Sequence, residues 1–358
     1  MGKGILITGV PGFIGKRLAG QLRQSAPERP LFLLCEQRFQ AEAAAFAREL
    51  DPSGEGACAV VGDICRDSLG LSPEDEARVR AEVDEVYHLA AVYDLQVGED
   101  LARRVNVVGT GKLLTFLRSF PQGSVRHNYV STCYVAGTRE GMVFEDELDR
   151  GQEFKNFYES TKFAAEVLVE RSKAEVETRI FRPAIVIGDS KTGETQKFDG
   201  PYPGFGAVMM GWMVALPGPA RAASNLVPVD FIVDCLCTIP GRPDTAGKTF
   251  QLADPNPLSS RETVALVAER LGAPRPRFHA PLAIFKALVQ FKKIAELTGV
   301  TPETLSYVNH HQVFDTTNTR VALRGTEVAC PPLRSYINQI LRYYRDRVEL
   351  PWRLDAPS

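Results

Sequence analysis

The sequence predicts an α/β protein: a doubly wound parallel sheet joined to a smaller, mostly helical lobe. Three observations lead there. Short β-rich apolar runs alternate with helical stretches from residue 4 to about 190. Glycines at 9, 12 and 15 mark the turn from the first run into the first helix. After Gly188 the alternation gives way to a long turn-rich passage.

The first apolar run covers residues 5–8, and runs at 31–35, 57–61, 86–89, 126–131 and 178–181 repeat its character. Each is short, and the first three are nearly continuous in apolar side chains, as expected of strands covered on both faces. Residues 13–24, 40–50, 74–82, 101–117 and 156–173 read as the intervening helices. The passage from Lys191 to Gly204 is rich in Gly, Pro and Thr, and loops of that length are usually functional. An apolar run at 226–229, a strand near 249–252 and a helix at 260–271, capped by Ser259 or Ser260, follow. The expected organisation is a dinucleotide domain of residues 1–190, to which 226–254 return, and a substrate lobe of 191–225 and 255–358.

With 358 residues and 44% hydrophobic content the chain can bury a full core. A net charge of -2 gives no electrostatic basis for nucleic acid binding. Seven cysteines without paired spacing suit free thiols, and the first strand begins too early for a signal segment, so a cytoplasmic protein is expected. The apolar stretch 207–216 contains Gly211 and stops at Pro217, far short of the ~20 residues of a membrane span.

The turn reads Thr8-Gly9-Val10-Pro11-Gly12-Phe13-Ile14-Gly15. Its glycines suit a tight turn, close approach of a pyrophosphate and close helix-to-sheet packing, the signature of a Rossmann-type site. Glu36 ends the second strand, where an acid can bind the adenosine ribose. Gly62-Asp63-Ile64 ends the third strand in reach of adenine, and His88-Leu89-Ala90-Ala91 ends the fourth. Glu36 would repel a 2′-phosphate while Arg38, Lys16 and Arg17 could embrace one, so NAD(H) and NADP(H) both fit.

Downstream, Tyr158 and Lys162 stand one helical turn apart, on one face. A phenol is a poor acid-base catalyst at neutral pH unless a nearby cation favours the phenolate, and Lys162 would meet that need. With Asn106 in Val105-Asn106-Val107-Val108-Gly109-Thr110, Ser131-Thr132, Arg182-Pro183 and Pro228-Val229-Asp230, these motifs make the chain resemble an extended short-chain dehydrogenase/reductase from residue 4 to about 255. The runs Val130-Ser131-Thr132-Cys133-Tyr134-Val135 and Val86-Tyr87-His88-Leu89-Ala90-Ala91, with Phe314-Asp315-Thr316-Thr317-Asn318-Thr319-Arg320, are most similar to the thioester-reductase and fatty-acyl-reductase branch.

The resemblance implies that Thr132 orients the substrate carbonyl, with Ser131 the competing hydroxyl. Tyr158 would donate the proton, Lys162 would activate it and hold the ribose, and Asn106 would complete the hydrogen-bond network. It further implies cofactor contacts from Thr8, the three glycines, Phe13, Ile14, Glu36, Arg38, Asp63 and Ile64. Leu89, Ala90, Ala91, Tyr158, Lys162, Arg182, Pro183 and Ile185 would complete them. The branch favours NADP(H) slightly over NAD(H).

The implied substrate is an apolar acyl group, small-molecule or carrier-bound, presented as a thioester or aldehyde. Phe205, Met209, Met210, Trp212, Met213 and Leu216 are candidate pocket lining, with plain core as the alternative. A sugar-nucleotide epimerase or dehydratase would use the same triad with a basic cleft from Arg221, Arg242 and Arg261. A non-catalytic dinucleotide sensor would have no need of Thr132, Tyr158 and Lys162. His310-His311 lacks accompanying ligands at metal spacing, so no metal is expected, and Cys133 reads as a buried small residue. The amphipathic, cationic stretch 281–294 should pack on the lobe's own core, with peripheral membrane contact as the alternative. Tyr343, Tyr344 and arginines 342, 345 and 347 read as a solvated C-terminal helix, and a homodimer is compatible with all of this.

Overall fold

Apolar runs that lack a polar face must be covered on both sides, and in the computed structural model they are. It describes residues 3–213, 215–218, 222–276, 278–291, 300, 305–307 and 311–348. Gly4–Thr8 (β1), Leu31–Cys35 (β2), Ala57–Val61 (β3), Val83–His88 (β4), Arg126–Val130 (β5), Glu177–Pro183 (β6) and Thr249–Leu252 (β7) form one parallel sheet. Its lateral order is β7-β6-β5-β4-β1-β2-β3. The order reverses between β1 and β4, so the connections leaving their carboxyl ends diverge and open a crevice, the usual ligand site of such sheets.

Phe13–Ser25 (α1), Gln40–Leu50 (α2) and Pro73–Glu82 (α3) fall where the periodicity puts them. The next helix (α4) starts as Glu99–Ala102, widens into a π-helical stretch at Arg103–Gly109 and ends as Thr110–Arg118. Such π stretches are uncommon and often mark functional sites, and this one contains Asn106. Phe157–Ser172 (α5) is capped by the Asn156 side chain, which accepts from the Glu159 N–H at 3.0 Å. Asn156 also donates to the Tyr307 hydroxyl at 2.8 Å, tying the start of this helix to the later part of the chain.

Strand β4 begins three residues before the expected 86 because its charged start is neutralised in place. The buried Glu85 carboxylate accepts from Arg29 at 2.6 Å, Arg126 at 2.9 Å and Asn128 at 2.9 Å. Paired in this way, a carboxylate can sit inside a sheet. The run 226–229 divides: Leu226–Pro228 pairs in parallel with Ile185–Ile187, and Val229–Thr238 is a helix that covers the sheet beside α1. All seven cysteines are free.

A second core gathers Tyr202, Phe205, Val208 and Met209 with Leu266, Tyr336, Ile337 and Tyr344. Phe205, Met209, Met210 and Leu216 are therefore buried interior and not an open pocket lining, while Trp212 and Met213 are half-buried. The helix Ser260–Leu271 carries the expected cap at Ser259, with a reciprocal Glu262 bond. Leu333–Arg345 is not a solvated helix: its Tyr336, Ile337, Ile340, Leu341 and Tyr344 face is buried, although Tyr343 and Arg347 stack outside it. In the stretch 281–294, Val289 is buried and Leu282 and Phe285, on the same helical face, are half-buried, while Ile284 and Leu288 are exposed and residues 292–299 lie outside those described. No helix among the described residues is long and apolar enough to cross a membrane.

Candidate active site

The crevice at the carboxyl ends of β1 and β4 begins with the glycine turn. Gly9 has φ +85°, a left-handed conformation that disfavours any side chain. A Cβ on Gly12 or Gly15 would come within 2.7 Å of the Gly9 carbonyl oxygen, so the turn closes this tightly only with glycine there. Gly12 caps α1 without any side-chain bond, leaving the first-turn N–H groups to the crevice, a geometry suited to a diphosphate. Phe13 and Ile14 pack partly buried against the main core and anchor the turn. The residues present fit a dinucleotide.

Thr8 is fully buried and braces the turn from behind. Its hydroxyl accepts from the Leu89 and Ala90 N–H groups, each at 3.1 Å, which draws the end of β4 and the start of the next loop against β1. At the adenosine end, Glu36 and Arg38 are both exposed and pair with each other at 2.9 Å, while Arg38 also lies over Phe39. Asp63 accepts from the Cys65 N–H at 2.9 Å and lies 3.6 Å from Arg66, and Ile64 is buried against Gly109. Lys16 lies 3.8 Å from Glu42 and Arg17 pairs with Glu194 at 2.7 Å.

Tyr158 and Thr132 meet at the carboxyl end of β5. Thr132 heads a short 3-10 turn, Cys133–Ala136; its hydroxyl lies close to the Tyr158 phenol, accepts from the Tyr134 N–H at 3.3 Å and donates to the Pro183 carbonyl at 3.5 Å. The Ser131 hydroxyl is taken by the buried Glu166 carboxylate, so Thr132 is the hydroxyl that faces the phenol. Burial raises the Tyr158 pKa, with the Thr132 bond opposing. Burial thus favours the protonated phenol in the free protein. The Lys162 ammonium donates to the Tyr129 hydroxyl at 3.0 Å and the Val130 carbonyl at 2.9 Å. Burial pushes the Lys162 ammonium down to about 7, with the Glu166 charge acting the other way.

Other expected site residues act as braces. Asn106 accepts from the Val92 N–H at 2.9 Å and donates to the Thr161 hydroxyl at 3.0 Å, fixing the loop after β4 to α5. Arg182 does not reach the crevice: its buried guanidinium binds Glu166 at 2.6 and 2.9 Å. Pro183 offers its carbonyl to Thr132, and Ile185 is half-buried at the start of the short paired strand. Cys133 donates to the Arg182 carbonyl at 2.9 Å, and burial pushes its thiol pKa up, against any reactive role. Arg221 and His310 lie outside the described residues.

Sequence reasoning missed three residues. Tyr93, half exposed, sets its ring edge-on to Tyr158 at 5.2 Å, and nothing in its loop announced it. Glu166 stands one turn beyond Lys162 and continues the Tyr158-Lys162 face, a signal that was available. Tyr129 precedes Ser131 by two and shares its face of the strand.

Comparison with known proteins agrees with this geometry. The chain is 24% identical over 286 residues to a subunit of the linear gramicidin synthase of Brevibacillus parabrevis, a match covering 74% of this chain and 5% of that protein. It is 25% identical over 275 residues to fatty acyl-CoA reductase 1 of Homo sapiens, covering 65% of this chain and 53% of the other. The chain thus spans about half the length of that reductase and a small part of the synthase. Among solved structures, the terminal R domain from the myxalamid PKS-NRPS biosynthetic pathway superposes with a TM-score of 0.83 at 25% identity, over 100% of this chain and 93% of that one. A model of an NAD-binding family described as male sterility protein matches residues 7–236. That span runs from within β1 almost to the end of Val229–Thr238, and with well over half its length inside the match, the chain belongs to the male sterility protein family of NAD-binding domains.

Proposed function

We propose that this chain is an NAD(P)H-dependent reductase acting on the carbonyl of an apolar acyl thioester or aldehyde, with Tyr158 as proton donor. One observation carries the reading: a buried, protonated phenol close to a hydroxyl, Tyr158 beside Thr132, next to a glycine turn that fits a dinucleotide. The likeness to fatty acyl-CoA reductase and to the R domain supports the acyl substrate, and residues 191–225 and 255–358 would supply the lobe that holds it.

Gly9, Gly12, Gly15 and the α1 N-terminus would hold the diphosphate, with Glu36, Arg38 and Asp63 at the adenosine end. A reduced nicotinamide bound there supplies hydride. Thr132 and Tyr158 donate hydrogen bonds to the carbonyl oxygen as negative charge develops on it, and Tyr158 then gives up its proton. On a thioester the first product is a hemithioacetal, which collapses to the aldehyde and free thiol.

The cofactor preference is expected to turn on one ion pair. Glu36 neutralises Arg38, so Glu36→Ala would release the guanidinium and remove the repulsion of a 2′-phosphate. The ratio of kcat/KM for NADPH to that for NADH should rise by about tenfold or more, and an unchanged ratio would show that this pair does not face the ribose.

For the epimerase reading, Arg242 donates to the Arg324 carbonyl at 3.1 Å, and Arg221 lies outside the described residues. The deciding assay follows NADPH and NADH oxidation with acyl thioesters on coenzyme A and on a carrier protein, with aldehydes, and with nucleotide sugars. For the acyl substrates kcat/KM should climb with chain length, by up to ~0.8 kcal/mol of binding per buried methylene. A flat response from four to twelve carbons, or turnover of a nucleotide sugar alone, would overturn the proposal.

A further inference from the structure

Behind Tyr158, on the buried side of the sheet, lies a chain of polar groups that joins the glycine turn to Lys162. The Thr8 hydroxyl already accepts from two N–H groups, so its own proton goes to His88 Nδ1, 2.8 Å away. His88 is then the tautomer protonated at Nε2, and it donates to Thr110 Oγ1 at 3.1 Å. Thr110 and Ser131 both lie beside the Tyr129 hydroxyl, and Ser131 donates to Glu166, which Arg182 of β6 holds. Tyr129 is 1% exposed and Lys162 3% exposed, so solvent cannot replace any of these partners.

An ammonium has three N–H donors. At Lys162 two are engaged, by the Tyr129 hydroxyl and by the Val130 carbonyl, and the aliphatic stem brings Nζ to 4.5 Å from the centre of the Tyr129 ring. The carbonyl is part of the strand and would be present with any residue at 129. Only the phenol oxygen depends on the side chain.

We propose that Tyr129 is a positioning residue for Lys162: its hydroxyl, flanked by Thr110 and Ser131, fixes the ammonium one helical turn beyond Tyr158 and leaves the third N–H for the crevice. The inference rests on the reductase reading only for what Lys162 does, not for what holds it. The titratable groups facing Lys162 are Glu166 of its own helix, Tyr129 of β5 and His88 of β4, with Tyr158 one helical turn before it, and burial keeps His88 neutral. Glu166, the Tyr129 hydroxyl and the Val130 carbonyl all favour the charged lysine, so losing the phenol oxygen removes one of its three supports.

The test is a titration of the protein with 13Cε-labelled lysine, followed by NMR, with Lys162 assigned by its absence in Lys162→Met. In Tyr129→Phe the Lys162 midpoint should fall by about one pH unit, the worth of a hydrogen bond to a charged group. The alkaline limb of kcat/KM should move with it. Thr110→Val, which keeps the phenol but removes its support, should shift both in the same direction by less, and it decides the matter if Tyr129→Phe does not fold. A Lys162 midpoint unmoved in the folded variants, even with lowered Tm, would leave Tyr129 a packing residue and overturn the proposal. If the midpoint moves but the wild-type protein reduces no thioester or aldehyde, the positioning stands and the reductase reading falls.

Discussion

Tyr158→Phe is expected to lower kcat by ~10²-fold or more, the usual worth of a placed general acid. The substitution keeps the ring, and with it the edge-on contact to Tyr93 and the burial beside Thr132, so the crevice keeps its shape. The dinucleotide turn lies on α1 and β1 and does not depend on the phenol oxygen. Cofactor affinity, measured by fluorescence titration, should therefore stay within about threefold of wild type. A Tyr158→Phe protein that retains full turnover would remove the proton donor from the mechanism.

The second large effect belongs to Lys162. In the free protein its ammonium titrates at about 7, so the cation that keeps proton supply to Tyr158 favourable is lost as pH rises through that value, and kcat/KM should fall with it. Stability should run the other way. Unfolded, the lysine titrates at ~10.4. Between about 7 and that value the folded protein binds fewer protons than the unfolded one, so this group's contribution to stability rises with pH across the window. Below the window the full cost of burying the charge is present. Lys162→Met should accordingly lower kcat by ~10²-fold, weaken cofactor binding, and abolish that rise in stability. Thermal melts and initial rates from pH 6 to 10 would check both signs, and a Lys162→Met protein with the wild-type dependence of Tm on pH would place the titration elsewhere.

Much of this was legible in the chain. Strands β1, β2 and β3 and helices α1 and α2 fall within a residue of where the apolar pattern puts them, because a strand buried on both faces leaves a continuous apolar run. The start of β4 was hidden, since Asp84 and Glu85 look like surface until Arg29, Arg126 and Asn128 arrive from elsewhere to neutralise them. Tyr344 was misjudged for the same kind of reason. Its neighbours Arg342, Arg345 and Arg347 suggest solvent, but only the packing of Leu333–Arg345 on Tyr202 and Phe205 decides which face is inside.

At the site, the sequence alone determined the family, the dinucleotide turn and the Tyr158-Lys162 pair, because those depend on spacings within a few residues of each other. Tertiary structure decided what each polar group is bonded to. It assigned Ser131 and Arg182 to Glu166, Asn106 to Val92 and Thr161, and the Lys162 ammonium to Tyr129 and Val130. The physical reason is that a buried donor or acceptor must find its partner across the sheet and between helices, where separation along the chain carries no information about distance, and burial then sets which groups can hold a charge.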